Sequence, residues 1–147
     1  AAGKLMAKVQ QVLLMWREHP HRLTRTDARY SVENFLRAKA HYLALGPLRR
    51  CDAVIVWGAG QIGRRVSKHL IRRGCPIVAF LDIDPKKIGG TLRGKPIYAA
   101  DELPNVWNMH RHPVLLMAVA SRGARAPIRE RLCAHGLVEA RDYWGIA

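Results

Sequence analysis

Long apolar runs are missing from this 147-residue chain: the longest, Val114 to Ala120, has seven residues, far short of the roughly 20 that cross a bilayer as a helix. A charged-then-apolar leader is also missing, so secretion is not signalled. Cysteine is scarce. Cys51, Cys75 and Cys133 form no C-x-x-C pair and are odd in number, which argues against a disulfide framework or a zinc knuckle and suits a reducing cytosol. Carboxylates are few as well: eleven Asp and Glu face twenty-five Lys and Arg, for a formal charge of +14. Such an excess favours anionic partners. No block of five consecutive basic residues occurs and no aromatic residues alternate with the arginines, which argues against a nucleic-acid stripe and leaves phosphorylated small molecules or an anionic membrane surface. The chain opens on Ala1 rather than methionine, as either a trimmed protein or a piece of a longer one would.

What is present divides near residue 50. In residues 1–50 the sequence supports two helices, over residues 4–18 and 31–45, separated by a polar, Arg-rich loop at 21–30. Leu5, Val9, Val12, Leu13 and Trp16 share one face of the first. Phe35, Leu36, Tyr42 and Leu43 are expected to point inward from the second. Two single-striped helices make no independent core, so they should dock on something else. Residues 51–147 instead alternate short apolar runs with helical patterns. Strands are expected at 53–57, 76–81, 96–98, 114–119 and 140–144, and helices at 61–73 and 124–135. That alternation implies a three-layer, Rossmann-like α/β fold with a parallel sheet of about five strands.

One motif carries chemistry. Gly58-Ala59-Gly60-Gln61-Ile62-Gly63 follows the first strand and opens a helix, the context that gives a G-x-G-x-x-G string meaning. Gly58 permits the tight turn, Gly60 lets a diphosphate approach the backbone, and Gly63 lets helix and strand pack closely. The N–H groups of Gln61 and Ile62, with the helix dipole, would face the phosphate. Asp82, nineteen residues beyond Gly63, stands where a carboxylate accepts from a ribose diol. Ser121 and Arg122, in the loop after the fourth strand of the pattern, complete the expected nucleotide contacts. Lys86 and Lys87 read as a charged turn. Asp82-Ile83-Asp84 also matches the Asp-x-Asp of metal-dependent sugar-nucleotide transferases, but Asp82 already occupies the ribose position, so no metal site is assigned. No Tyr-x-x-x-Lys pair and no G-x-S-x-G elbow occurs, so no catalytic residue is assigned.

Trp16 through Asp27, then Tyr30-Ser31 and the helix with Lys39, resemble the segment after the catalytic domain of some bacterial family 2 glycosyltransferases. Val56 to Gly60, Phe80 to Pro85, Ala118 to Gly123 and Gly136 to Trp144 are similar to the Rossmann-like extension that follows in those proteins. The resemblance implies a non-catalytic, cytoplasmic or membrane-peripheral module beside an upstream glycosyltransferase domain. The resemblance does not name the ligand: NAD(P), a UDP-sugar and no ligand at all stay open. The other readings are an NAD-dependent sugar-nucleotide oxidoreductase or epimerase half, and a structural unit that forms a homodimer.

Overall fold

The computed structural model describes residues 11–15, 19–121 and 123–147. The chain forms two compact units, Ala1–Ser31 and Val32–Ala147. Most of the helix expected at 4–18 lies outside the described residues, and 11–15 form no helix. The loop expected at 21–30 is instead two short helical pieces, α1 (Leu23–Thr26) and a 3₁₀ turn at Ala28–Tyr30. Asp27 accounts for the second. Its carboxylate accepts from the Arg29 backbone N–H at 2.9 Å and pairs with the Arg29 guanidinium at 2.6 Å, closing a local turn that periodicity alone does not reveal.

The second unit begins with α2 (Val32–Leu45). There follow β1 (Ala53–Trp57), α3 (Gln61–Ile71), β2 (Ile77–Asp82), β3 (Thr91–Leu92), β4 (Lys95–Ala99), a 3₁₀ turn at Ala100–Glu102 and α4 (Leu103–Asn108). The unit closes with β5 (Pro113–Met117), α5 (Arg125–Ala134) and β6 (Tyr143–Gly145). The six strands lie in the order β3-β4-β2-β1-β5-β6. All neighbouring pairs are parallel except β3 with β4, joined by a tight antiparallel turn at Arg93 and Gly94, both at positive φ. β3 adds the strand beyond the expected five. It was illegible because two residues carry no periodicity.

β1 is apolar throughout because both its faces are covered. Val54 and Val56 join Phe80 and Leu116 beneath Leu36, Ala40, Val66 and Leu70 of α2 and α3. Ile55 and Trp57 join Leu81, Leu115 and Met117 on the other face, with Leu103, Val106 and Leu132 of α4 and α5. The fold is therefore the expected three-layer Rossmann-like α/β arrangement. α2 docks by Leu36 and Ala40, with Glu33 reaching Lys68 of α3 at 3.1 Å. Phe35 and Tyr42, expected to face inward, are 52% and 71% exposed. The small Ala40 lets α2 lie close to its neighbour, and the inward stripe then passes through Leu36 rather than through the aromatics. Among the described residues no helix is long and apolar enough to cross a membrane.

Candidate functional site

Strand order reverses at β1: β2 and β4 lie on one side of it, β5 and β6 on the other. A crevice outside the carboxyl ends of β1 and β5 follows from that topology, and the glycine motif sits in it. Gly58 adopts φ +109°, and a Cβ there would stand 3.1 Å from both the Ala118 carbonyl and the Val119 Cγ2. Its N–H donates to the Leu81 carbonyl at 2.7 Å, which fixes the turn against β2. Gly63 meets the turn from inside α3, where a Cβ would lie 1.8 Å from the Gly58 carbonyl oxygen. Gly60 differs from both. It caps α3 with φ −79°, and a Cβ would meet nothing within 4 Å. The space in front of Gly60 and the unpaired first-turn N–H groups of α3 is open, as an anion seat requires.

Asp82 closes β2 and is only 7% exposed. Its Oδ2 accepts from the Ala59 N–H at 2.8 Å, and its Oδ1 accepts from the N–H groups of Ile83 and Asp84 at 2.9 and 3.0 Å. Lys87 Nζ approaches Oδ2 at 3.4 Å and Asp84 Oδ2 at 3.2 Å. The carboxylate thus ties the glycine turn to the end of β2, a role that spacing alone did not show. Burial by itself would raise this carboxyl's pKa. The Asp84 and Ala59 N–H groups and the Lys87 ammonium outweigh it and hold the group below the ordinary aspartate range.

A folded-state pKa below the unfolded one gives stability that is present above about pH 4 and lost as pH falls through the folded value. Asp82→Asn keeps the shape but removes the charge and turns an N–H donor toward backbone donors. It should cost about 2–3 kcal/mol at pH 7, and the stability difference from the unsubstituted chain should shrink below pH 4. Urea unfolding at pH 7 and pH 3 checks both; equal differences at the two pH values would refute the charge-based account.

The crevice encloses about 670 Å³. Gly58, Gly60, Gln61, Ile62, Asp82 and Ser121 all line it. Ala59 and Gly63 stand behind the wall, the first held by Asp82 and the second against the Gly58 carbonyl. Arg122 lies outside the described residues. Lining residues that the motif did not announce are Trp57, Ile83, Lys87, Ala118 to Ala120, Ala124, Pro127, Ile128 and Arg131. Most come from the loop after β5 and from α5, whose apolar pattern reads equally as core. Among the described residues, the cations that line the crevice are neutralised: Lys87 by Asp82 and Asp84, and Arg131 by Asp101. Arg125 donates to the Val119 carbonyl at 3.2 Å and steadies the loop after β5.

Residues 51–136 match the family described as the CoA binding domain. The chain belongs to the CoA-binding domain family. Within it, the chain is 31% identical over 105 residues to the redox-sensing transcriptional repressor Rex of Clostridium beijerinckii, covering 70% of this chain and 47% of the relative. It is 30% identical over 87 residues to the Rex of Geobacillus kaustophilus, covering 57% and 39%. The chain therefore spans less than half the length of these curated relatives. Among solved structures it is similar to a UDP-D-quinovosamine 4-dehydrogenase from Vibrio fischeri, with 26% identity, 65% of this chain, 77% of that chain and TM-score 0.54. The fold is shared with RSP in complex with β-NADH, at 17% identity, 84% and 57% coverage and TM-score 0.55.

These findings overturn two expectations. The CoA-binding domain family and the Rex relatives replace the glycosyltransferase resemblance, and with it the role as a module beside an upstream glycosyltransferase domain. The glycine turn and Phe-Leu-Asp strand are common to many nucleotide-binding folds, so they misdirected the choice of family while giving the right fold. A nucleic-acid partner, which the sequence argued against, is no longer disfavoured, since the relatives are named transcriptional repressors and the Rex-family repressor RSP is described in complex with β-NAD⁺ and operator DNA. A UDP-sugar ligand finds no support. The chain is a Rossmann-like nucleotide-binding domain of the CoA-binding domain family.

Proposed function

We propose that residues 51–147 bind NAD(H) and act as a dinucleotide-sensing module rather than as an enzyme. The open space before Gly60, at the start of α3 and at the strand-order reversal, carries the reading. There the diphosphate takes the first-turn N–H groups of α3, with the backbone of Gln61 and Ile62 nearest. The ribose of the adenosine half takes the Oδ2 side of Asp82, where the 3.4 Å contact of Lys87 is the weakest of the carboxylate's four partners and the one to yield. Ser121 borders the other side of the crevice. The complex of a fold neighbour with β-NADH and the redox-sensing function in the relatives' names support this choice of ligand.

Asp82 and Asp84 sit together at the ribose end, so a 2′-phosphate would meet two carboxylates and one lysine already shared between them. NADH should therefore bind at least tenfold more tightly than NADPH, one charge-assisted contact being worth about 1.5–3 kcal/mol. Titration followed by NADH fluorescence, with NADPH and coenzyme A as competitors, tests the proposal. Preferential displacement by coenzyme A, the ligand of the family's description, would replace NAD(H) with that molecule. No response to any of the three would end the reading.

A further inference from the structure

All five parallel strands start at the same edge of the sheet, opposite the crevice. The chain enters β1 from Arg49 and Arg50, β2 from Arg72 and Arg73, and β5 from Arg111. β2, β1 and β5 are consecutive in the sheet, so arginines from Arg49 to Arg111 in sequence are gathered at one edge, beside three strand entries that span about 10 Å at the usual strand spacing. All five arginines are exposed. Asp52 fastens the row: its carboxylate accepts from the N–H groups of Arg111 and His112 at 2.8 and 2.9 Å, and its own N–H donates to the His112 carbonyl at 3.3 Å. That carboxylate is occupied by backbone donors. None of the five guanidinium groups has a carboxylate partner among the described residues.

Lys68, Lys87, Arg129, Arg131 and Arg141 each have an acidic partner, and Lys39 donates to the Ile146 carbonyl. Arg37, Arg64, Arg65, Lys86, Arg93, Lys95 and Arg125 also lack an acidic partner among the described residues, but they are spread over separate elements, whereas the five edge arginines are gathered at three adjacent strand entries. Like charges held side by side repel one another, and an anionic partner relieves that repulsion.

We infer that this amino edge is a docking surface for the phosphate backbone of duplex nucleic acid, without base readout. Every cation in the row is arginine, whose planar fork meets the paired oxygens of a phosphodiester better than a lysine does. A row of three entry points in ångström steps comparable to phosphate spacing fits a linear, repeating anion. No aromatic side chain belongs to the row, so bases have nothing to stack on, and contacts to phosphate alone carry no sequence preference. A lipid surface would draw on the same charges, but it also wants an inserted apolar face. Leu45, Ile71 and Met109, exposed near the row, are single residues on three separate elements rather than an amphipathic face.

Fluorescence anisotropy of the full 147-residue chain with a labelled 20-base-pair duplex of arbitrary sequence tests this across a salt series. Micromolar binding is expected at 50 mM salt, with a slope of log K against log salt of roughly −4 for four to five phosphates neutralised. Arg49→Gln with Arg50→Gln, and separately Arg72→Gln with Arg73→Gln, should each weaken binding at least tenfold and flatten the slope by about 2. Arg37→Gln with Lys86→Gln removes the same charge from mid-α2 and the opposite edge, and should weaken binding less than threefold. Unchanged thermal melting shows that each variant is folded. Equal loss in the control pair would reduce the effect to net charge and overturn the assignment. So would no duplex binding at low salt, or loss by the edge variants of binding to phosphatidylserine vesicles in place of DNA.

Discussion

An alanine at position 63 should destabilise the second unit by about 3 kcal/mol or more, lowering the melting temperature by roughly 6–12 °C. The reason is a single distance. The Cβ would lie 1.8 Å from the Gly58 carbonyl oxygen and 3.0 Å from its carbon, and both are backbone atoms that cannot rotate away. α3 would have to lift off β1, and Val66 and Leu70, both fully buried against the sheet, would move with it. Alanine's better helix propensity, worth about 1 kcal/mol over glycine, is too small to offset the clash. Gly74→Ala is the natural comparison: Gly74 has φ +74° but open space around its Cβ position, so only backbone strain of roughly 1–2 kcal/mol is expected. Circular-dichroism melts of the two variants decide the matter. A Gly63→Ala protein that melts within 2 °C of the unsubstituted chain would mean that helix and turn are not locked together as described.

Gly63 also shows what the sequence made legible. A glycine three residues after Gly60, at the start of a helix that follows a β-branched run, has one physical explanation, and the β1 boundaries at Ala53 and Trp57 were readable from that run. Elements that depend on a partner were less legible. β3 exists only because Arg93 and Gly94 turn the chain back onto β4. The inward face of α2 is set by where Ala40 allows contact, so Phe35 and Tyr42 misled. Asp82 was found by position, yet its bonds to Ala59, Ile83 and Asp84 came from the folded loop. The arginine row was illegible for a stronger reason. Searching for consecutive basic residues assumes that charge patches are local in sequence, whereas a parallel sheet gathers every strand entry onto one edge and builds a patch from scattered pairs.

Gly60→Ala separates the site from the fold. At φ −79° alanine is permitted, and the open space around its Cβ position means no atom must move. Losing a glycine from the unfolded chain favours the variant by about 0.4–1 kcal/mol, and alanine's poorer helix capping costs a similar amount, so melting should shift by less than about 3 °C. Affinity should behave differently. A diphosphate reaches the first N–H groups of α3 only if its oxygens come within about 2.7–2.9 Å, and a methyl group in the opening holds them farther off. Losing one or two charge-assisted hydrogen bonds of about 1.5–3 kcal/mol each corresponds to at least a tenfold weaker NADH complex. Gly63→Ala attacks the same loop from behind and should lower stability first, so the two variants give opposite patterns in melting and binding. If Gly60→Ala binds NADH as tightly as the unsubstituted chain, the phosphate does not sit at the start of α3, and the sensing role loses its physical basis.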